Sequence, residues 1–160
     1  METIPFLTKE DVVTLDGLLT DYLQKSSADL TLVIDKGGTV VSQQGDPKAA
    51  DVSIIAALAA GSFAATKELA RRIGETEFSA LYHQGKTHHI FMSALDEHTI
   101  IVTVFGEKTT VGLIRFYTID VTAQLAAFLK KLREREDNGQ LPFALEVNSN
   151  EGVPAHKIFV

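Results

Sequence analysis

Four histidines lie close together in the sequence: His83, His88, His89 and His98. Imidazoles at such spacing can bind zinc, and a predicted turn over Gln84–Thr87 would place His83 opposite His88, with His98 one hairpin away. Successive residues of a strand point to opposite faces, however, so His88 and His89 cannot share one metal ion. No cysteine or carboxylate completes a ligand set. We therefore predict solvated histidines at strand ends and no metal site.

No motif for nucleotide hydrolysis or covalent catalysis is present in the sequence. The glycine-containing segments Asp35–Gly38 and Gly106–Thr109 lack the G-x-x-x-x-G-K-[ST] spacing of a phosphate-binding loop. The chain has no cysteine, and its serines lie outside any nucleophile-elbow motif. Acidic residues such as Asp96 and Glu97 flank predicted turns, where carboxylates are solvated. We predict a protein that is not an enzyme and that has neither catalytic residues nor a cofactor.

The composition indicates one acidic domain. The 160 residues include 15 Lys and Arg against 21 Asp and Glu, a net charge of −6, and no basic stripe suits a nucleic-acid backbone. The N-terminal residues form no signal-peptide pattern. The longest apolar stretch, Ile54–Ala60, is far shorter than the roughly 20 residues of a membrane span. We expect a cytoplasmic protein that neither binds nucleic acid nor inserts into a membrane.

Local signals predict a helix, a hairpin and a second helix in the first half of the chain. The first helix opens with a capping box, because a hydroxyl at Thr8 is followed three residues later by Asp11. The hairpin turn contains Gly37-Gly38, which can both take positive φ. Asp51 is the predicted N-cap of the second helix, which ends at Gly74. The hairpin strands are Leu30–Ile34 and Thr39–Ser42.

The second half of the chain predicts three strands followed by a helix. The strands are Glu77–Gln84, His88–Leu95 and Thr99–Phe105. The segment Val111–Tyr117 is ambiguous because its β-branched and aromatic residues also suit a strand, whereas Val121–Leu132 has helical spacing. The order is therefore α-β-β-α-β-β-β-α. Hairpins imply an antiparallel sheet whose faces the helices cover, which is an α+β fold.

The second helix carries two apolar stripes. One contains the larger side chains and is predicted to pack on a sheet: Ile55, Leu58, Ala65, Leu69 and Ile73. The other is nearly all small and ends in charged residues: Ala57, Ala60, Gly61, Ala64, Lys67, Glu68 and Arg71. Glycine inside a helix costs about 1 kcal/mol relative to alanine, so Gly61 indicates that another helix approaches closely. We favour a homodimer or partner-binding helix over packing against the chain's own helices.

The second helix and its neighbours also carry a family resemblance. The segments concerned are, in chain order, Leu32–Ser42, Leu58–Ala65, Leu69–Glu75 with Phe78, Tyr82–Gly85 and Thr109–Arg115. Together they cover about residues 8–135. In this order they resemble the Roadblock / dynein light-chain family, and within it bacterial regulators of small Ras-like GTPases.

The resemblance implies a fold and a mode of assembly. The fold is a five-stranded antiparallel sheet with the second helix on one face and the first and last helices on the other, and it makes Thr110–Glu136 one helix. The domain would span residues 8–136, between a lead-in of residues 1–7 and a tail of residues 137–160. In the implied homodimer the edge strand Phe78–Gln84 pairs with its copy, and the two second helices pack side by side. The implied dimer contacts are Ala60, Phe63, Phe78, Ala80 and Tyr82.

The resemblance further implies that the dimer binds a small Ras-like GTPase. It would stimulate GTP hydrolysis by remodelling the GTPase, without donating an arginine finger. The implied GTPase contacts are Ala57, Gly61, Ala64, Lys67, Glu68 and Arg71. Lys67 and Glu68 are bulky and charged where the related helices are often small. Two other functions stay open: a non-catalytic scaffold subunit of a signalling or motility complex, and a less favoured ligand or metal sensor.

Overall fold

The computed structural model describes residues 4–46, 48–49 and 51–139. Its elements are α1 Lys9–Ser26, β1 Leu30–Asp35, β2 Val40–Gly45, α2 Val52–Arg72, β3 Ala80–Gln84, β4 His89–Ala94, β5 Thr99–Phe105 and α3 Val111–Asp137. The strands form one antiparallel sheet in the order β2-β1-β5-β4-β3. The predicted α+β fold is thereby confirmed. Residues 1–3 of the predicted lead-in and residues 140–160 of the predicted tail lie outside the described residues, so the domain limits stay predictions.

The two faces of the sheet pack against different helices, because successive strand residues point to opposite sides. Val33 and Ile101 are fully buried in a cluster with α1 and α3. Their neighbours Leu32 and Val102 are fully buried in a cluster with α2. The molecule therefore has three layers, with α2 alone on one face of the sheet and α1 beside α3 on the other.

A buried hydroxyl network ties α1 and α3 to the sheet. The Tyr22 hydroxyl lies 2.9 Å from Oγ1 of Thr103 on β5 and 2.9 Å from Oγ1 of Thr118 on α3. All three side chains are buried, and burial raises the pKa of Tyr22 despite these hydrogen bonds. Because buried polar groups are costly unless they are paired, the network fixes how the two helices sit on the sheet.

The start of α1 is confirmed as a capping box. The Thr8 hydroxyl accepts a hydrogen bond from the Asp11 backbone at 3.1 Å, and the Asp11 carboxylate accepts one from the Thr8 backbone at 2.8 Å. The same carboxylate lies 2.8 Å from the guanidinium of Arg135 near the end of α3. One acidic residue thus caps α1 and joins it to the last helix.

Two carboxylates make the stability of the fold sensitive to acid. Burial acts to raise the pKa of Asp11, but the hydrogen bonds and charge of Arg135, together with Thr8, outweigh it and lower that pKa. Burial likewise acts to raise the pKa of Asp96, but hydrogen bonds from Thr99 and His98 and the charge of Arg133 lower it. Each group titrates at lower pH in the folded chain than in the unfolded chain, so its contribution is present above about pH 4 and is lost as pH falls further.

We therefore expect the free energy of unfolding to fall as the pH drops below about 4. The Asp11→Asn variant should be less stable than the wild type at pH 7 and should lose less stability between pH 5 and pH 3. Urea unfolding at a series of pH values measures both effects. A variant whose stability fell as steeply with pH as that of the wild type would show that Asp11 does not contribute.

Two local predictions are corrected by the structure, and one ambiguous segment is resolved as the resemblance implied. Of the two turn glycines, only Gly38 has positive φ, at +88°. The ambiguous segment Val111–Tyr117 is the first part of α3, which begins at the N-cap Thr110. The strand predicted from Glu77 begins only at Ala80. The residues before Ala80 instead form a connection along the end of α2, where Glu75 donates its backbone N–H to the carbonyl of Ala70.

Candidate functional site

The outer side of α2 is an exposed apolar surface. Its large side chains are Ile54, Leu58, Leu69 and Ile73, which are 57%, 67%, 62% and 78% exposed. The sequence-based assignment of Leu58, Leu69 and Ile73 to the sheet-packing side was therefore wrong. The sheet-facing side is formed instead by small residues and one ring: Ala56, Ala59, Ala60, Phe63 and Ala70. Small side chains let the helix lie close to the sheet, which leaves the large ones outside.

By length and composition alone, α2 is apolar enough to cross a membrane. A helix that packs on a sheet passes the same test, and α2 packs through its alanine side on β1 and β5. Its last turns also carry a cluster of exposed charges: Lys67, Glu68, Arg71 and Arg72. The hydropathy of α2 is therefore only weak support for a membrane span. Its high value arises because both the sheet-facing side and the outer side of the helix are apolar.

A groove of about 480 Å³ lies between the C-terminal half of α2 and the ends of β4 and β5. Apolar residues from separate parts of the chain contribute to its lining: Ala60, Phe63, Phe78, Ala94 and Ile100. The rings of Phe63 and Phe78 lie 5.1 Å apart and form one wall. Exposed charged residues stand around the opening, among them Lys36, Lys67 and Glu97. The groove combines an apolar interior with a rim of both charges.

Ion pairs hold part of this rim in place. The Glu68 carboxylate lies 2.7 Å from the Arg71 guanidinium and 2.9 Å from that of Arg72. Hydrogen bonds from Arg71 and then Arg72 lower the pKa of Glu68. At the far end of the groove, Asp96 accepts hydrogen bonds from Thr99 and pairs with Arg133 at 3.4 Å. In the described part of the chain, Lys36 and Lys67 form no salt bridge with a carboxylate.

The predicted GTPase contacts fall on two adjoining parts of this surface. Ala57 and Gly61 lie on the exposed side of α2. The other four line the groove: Ala64, Lys67, Glu68 and Arg71. A Cβ atom added at Gly61 would have no atom within 4 Å, so no neighbour in the described part of this chain requires a glycine there. If a helix does approach Gly61 closely, as the glycine indicates, that helix belongs to another molecule.

The predicted dimer contacts are distributed differently. Ala60 and Phe63 are 4% and 6% exposed and lie in this chain's own core, so they support the α2 surface from beneath. Phe78 is half-buried against Phe63. Ala80 and Tyr82 lie on β3, the edge strand, where Ala80 is exposed and Tyr82 stacks on Phe105 at 6.2 Å. Only the last three residues offer surface to a second copy.

The histidines do not come together. In the β3–β4 hairpin His83 pairs with Ile90 and Gln84 with His89, so the predicted pairing of His83 with His88 is wrong. The ring of His89 packs on Phe105, with ring centres 5.1 Å apart. His98 lies in the β4–β5 turn at the opposite end of the strands. Within the described residues no group of histidine and acidic side chains could hold a metal ion.

Sequence reasoning missed most of the groove. Lys36, Ala94 and Ile100 lie far apart in the sequence and meet only through the pairing of β1, β5 and β4. No motif marks them, because each is an ordinary strand or turn residue. The useful signal was the second apolar stripe on α2, since a helix with two apolar sides must cover one of them with something other than its own sheet.

A three-layer α+β domain whose α2 packs on the sheet through one side and exposes large apolar residues on the other has the form of an interaction module. The chain belongs to the Roadblock/LC7 domain family, whose model matches residues 13–105. This confirms the family resemblance and the order of elements that it implied.

Solved structures extend the similarity beyond the family match. The gliding protein MglB from Thermus thermophilus is 26% identical, covers 82% of this chain and 99% of its own, and superposes with a TM-score of 0.74. MglB from Myxococcus xanthus is 25% identical over 79% of this chain and 95% of its own, with a TM-score of 0.73. An MglB with a tetrameric arrangement is also 25% identical, covers 82% and 99%, and has a TM-score of 0.75.

Proposed function

We propose that this chain forms a homodimer that binds a small Ras-like GTPase of the MglA type and stimulates its GTP hydrolysis. The observation that carries the proposal is the exposed apolar side of α2, with its adjoining groove, on a Roadblock/LC7 domain similar to MglB. The name of the Thermus relative as a gliding protein suggests gliding motility or cell polarity as the process, in the cytoplasm.

The chemistry of the surface supports a protein partner. Large exposed aliphatic residues on one helix are unfavourable in water and mark a surface that another molecule covers. The nearby groove adds an apolar interior with a polar rim, which is the arrangement of protein interfaces. The mixed charges of Lys67, Glu68 and Arg71 suit a protein better than a nucleic acid, whose phosphates require a basic surface.

Edge strand β3 supports assembly into a dimer. Its outer side pairs with no other strand in the described part of the chain, so its backbone groups are available to a second copy. Two copies joined at β3 would form one continuous sheet and bring their α2 helices to the same side. Phe78, Ala80 and Tyr82 are then the contacts that we propose for this interface. The relative with a tetrameric arrangement shows that such a domain can form an oligomer.

The proposed mechanism requires no catalytic residue from this chain. Phosphoryl transfer depends mainly on the position of the attacking water and on groups that stabilise charge, and both can lie within the GTPase itself. A rigid surface that binds only the aligned form of the GTPase would favour that form. Arg71 and Arg72 both pair with Glu68 in this chain, and the proposal assigns neither of them the role of an arginine finger.

Single-turnover GTP hydrolysis by a purified MglA-like GTPase tests the proposal. Saturating amounts of this protein should raise the hydrolysis rate by about 100-fold, the size of effect that a misplacement of reacting groups by about 1 Å has. Binding without any change in rate would contradict stimulation and favour the scaffold alternative. Failure to bind the GTPase in either nucleotide state would reject the proposal.

A further inference from the structure

We propose that the outer side of α3 is a second association surface, at which the α3 helices of two copies of this chain pack side by side in the same direction. The exposed residues that define this α3 surface are Gly112, Phe116, Ile119 and Ala123. α3 covers the face of the sheet opposite to α2, and none of these residues is among the proposed GTPase or dimer contacts. The inference therefore goes beyond the proposed function and does not depend on it.

Large apolar side chains are exposed on and beside the α3 surface. Phe116 is 67% exposed, Ile119 is 74% exposed, and Leu113 beside them is 48% exposed. Ile114, on the opposite side of the same helix, is fully buried. The Phe116 ring contacts the edge of Tyr117, with ring centres 5.1 Å apart, so it has a neighbour that orients it. Clustered exposed residues of this size mark a surface that another molecule covers.

The spacing of the α3 surface residues is that of a seam between paired helices. They follow one another at intervals of four, three and four residues, which keeps one stripe of a helix turned toward a partner helix. The two large residues lie at the centre of the seam, with Gly112 before them and Ala123 after them. Small residues at both ends let two helices approach closely. The partner that fits the α3 surface is therefore another helix.

Charge identifies that helix as α3 of a second copy. Arg115 and Asp120 are exposed on opposite flanks of the seam. Around a two-fold axis parallel to the helices, each flank faces the opposite flank of the copy, so Arg115 meets Asp120 at both edges. An antiparallel pair would instead bring each flank against its own kind. Within the described residues neither side chain forms a salt bridge, and the Arg115 guanidinium lies 5.5 Å from the centre of the Phe91 ring, where its charge is not neutralised.

The size of the α3 surface predicts weak association that depends on concentration. An apolar patch on a monomer usually measures about 300–600 Å², so two such patches bury about 600–1,200 Å² in total. Stable interfaces bury about 1,200–2,000 Å², and smaller ones belong to transient complexes. We therefore expect a dissociation constant in the micromolar range.

Sedimentation equilibrium of the full-length chain tests the association, at concentrations from about 5 to about 200 μM. The mass of the wild type should double over this range: from two chains to four if β3 joins two copies as proposed, and from one to two if it does not. Ile119→Asp should weaken the association at least about 30-fold and abolish the increase, because it would bury an unpaired charge. Val13→Asp is the matched control, since Val13 is 71% exposed on α1 and this variant should keep the increase.

Two results of this experiment would overturn the proposal. If the mass of Ile119→Asp increased as that of the wild type does, the α3 surface would not be the contact. If Val13→Asp lost the increase to the same extent, the effect would be one of added charge and would not belong to this surface. Because Ile119 projects into solvent, the substitution should leave the fold intact, which urea unfolding checks.

Cysteine variants test the direction of packing, because the natural sequence has no cysteine. A parallel pair places every seam residue beside its own copy, so Ile119→Cys and Ala123→Cys should both form covalent dimers, since a disulfide requires Cα atoms within about 7 Å. The matched control is Gln124→Cys, which is exposed on the same helix outside the seam and should cross-link at least about tenfold less. Cross-linking of only one seam position, or equal yields in all three variants, would reject the parallel pair.

GTPase binding separates this proposal from the proposed function. The α3 surface and α2 lie on opposite faces of the sheet, so Ile119→Asp should bind the GTPase with wild-type affinity per chain. Loss of GTPase binding in this variant would show that the surface serves the GTPase and would contradict its assignment to a second copy. A wild-type chain that associates through α3 but binds no GTPase would reject the proposed function alone.

Discussion

The Gly61→Arg variant is expected to fold normally and to bind the GTPase at least about 30-fold more weakly than the wild type. Gly61 lies on the exposed side of α2, and a Cβ added there would have no atom within 4 Å. The arginine side chain can therefore project into solvent in the free protein. In the complex it would place an unpaired charge within an apolar contact, which costs about 2–5 kcal/mol. Titration of a labelled GTPase measures the affinity, and urea unfolding measures the stability.

Gly61→Ala is the matched control for this variant. It adds one methyl group at the same position and should stabilise α2 by up to about 1 kcal/mol, because alanine favours helix more than glycine does. If the partner's backbone approaches closely at this position, alanine will weaken binding slightly and arginine severely. Binding of Gly61→Arg with wild-type affinity would show that the GTPase contacts another surface.

The Gly38→Ala variant is expected to lose about 3 kcal/mol of stability, the sum of strain at positive φ and overpacking. Gly38 has φ of +88°, where a side chain is disfavoured, in the turn between β1 and β2. A Cβ at this position would lie 2.8 Å from the Cα of Ala57 on α2. That neighbour is backbone and cannot rotate away, so the helix or the turn must shift. Urea unfolding of both proteins measures the difference.

Gly61→Ala again serves as the comparison, since the same chemical change in α2 should have the opposite sign. A Gly38→Ala variant as stable as the wild type would show that α2 can move away from the turn at little cost. Such movement would also displace Ala57, one of the proposed GTPase contacts. We therefore expect the Gly38→Ala variant to bind the GTPase more weakly than the wild type, in addition to being less stable.

Local signals in the sequence were enough for most of the fold. The capping box at Thr8, the N-cap at Asp51 and the glycine at position 74 mark helix ends through their own hydrogen bonds or φ angles, which depend on few other residues. The start of α3 was different. Val111–Tyr117 suits a strand by composition, and packing of Ile114 in the core decides in favour of helix.

The candidate site was predicted less completely, for two physical reasons. A helix with two apolar sides does not reveal which side faces the sheet, and the usual rule that large residues are buried gave the wrong answer for Leu58 and Leu69. Strand register also depends on where the turn lies: its four residues are 85–88, one residue later than predicted, so His83 pairs with Ile90, two positions beyond the expected His88. The groove depends on long-range strand pairing as well, because Lys36, Ala94 and Ile100 meet there only through the pairing of β1, β5 and β4.

The alanine underside of α2 has a consequence for local unfolding. A buried alanine removes little apolar area from water, so the free energy that attaches α2 to the sheet comes mostly from Phe63 and a few partly buried side chains. α1 and α3, in contrast, hold the other face through many buried leucines. Opening of α2 alone should therefore cost less than global unfolding, and a molecule that binds its outer side should stabilise it against such opening.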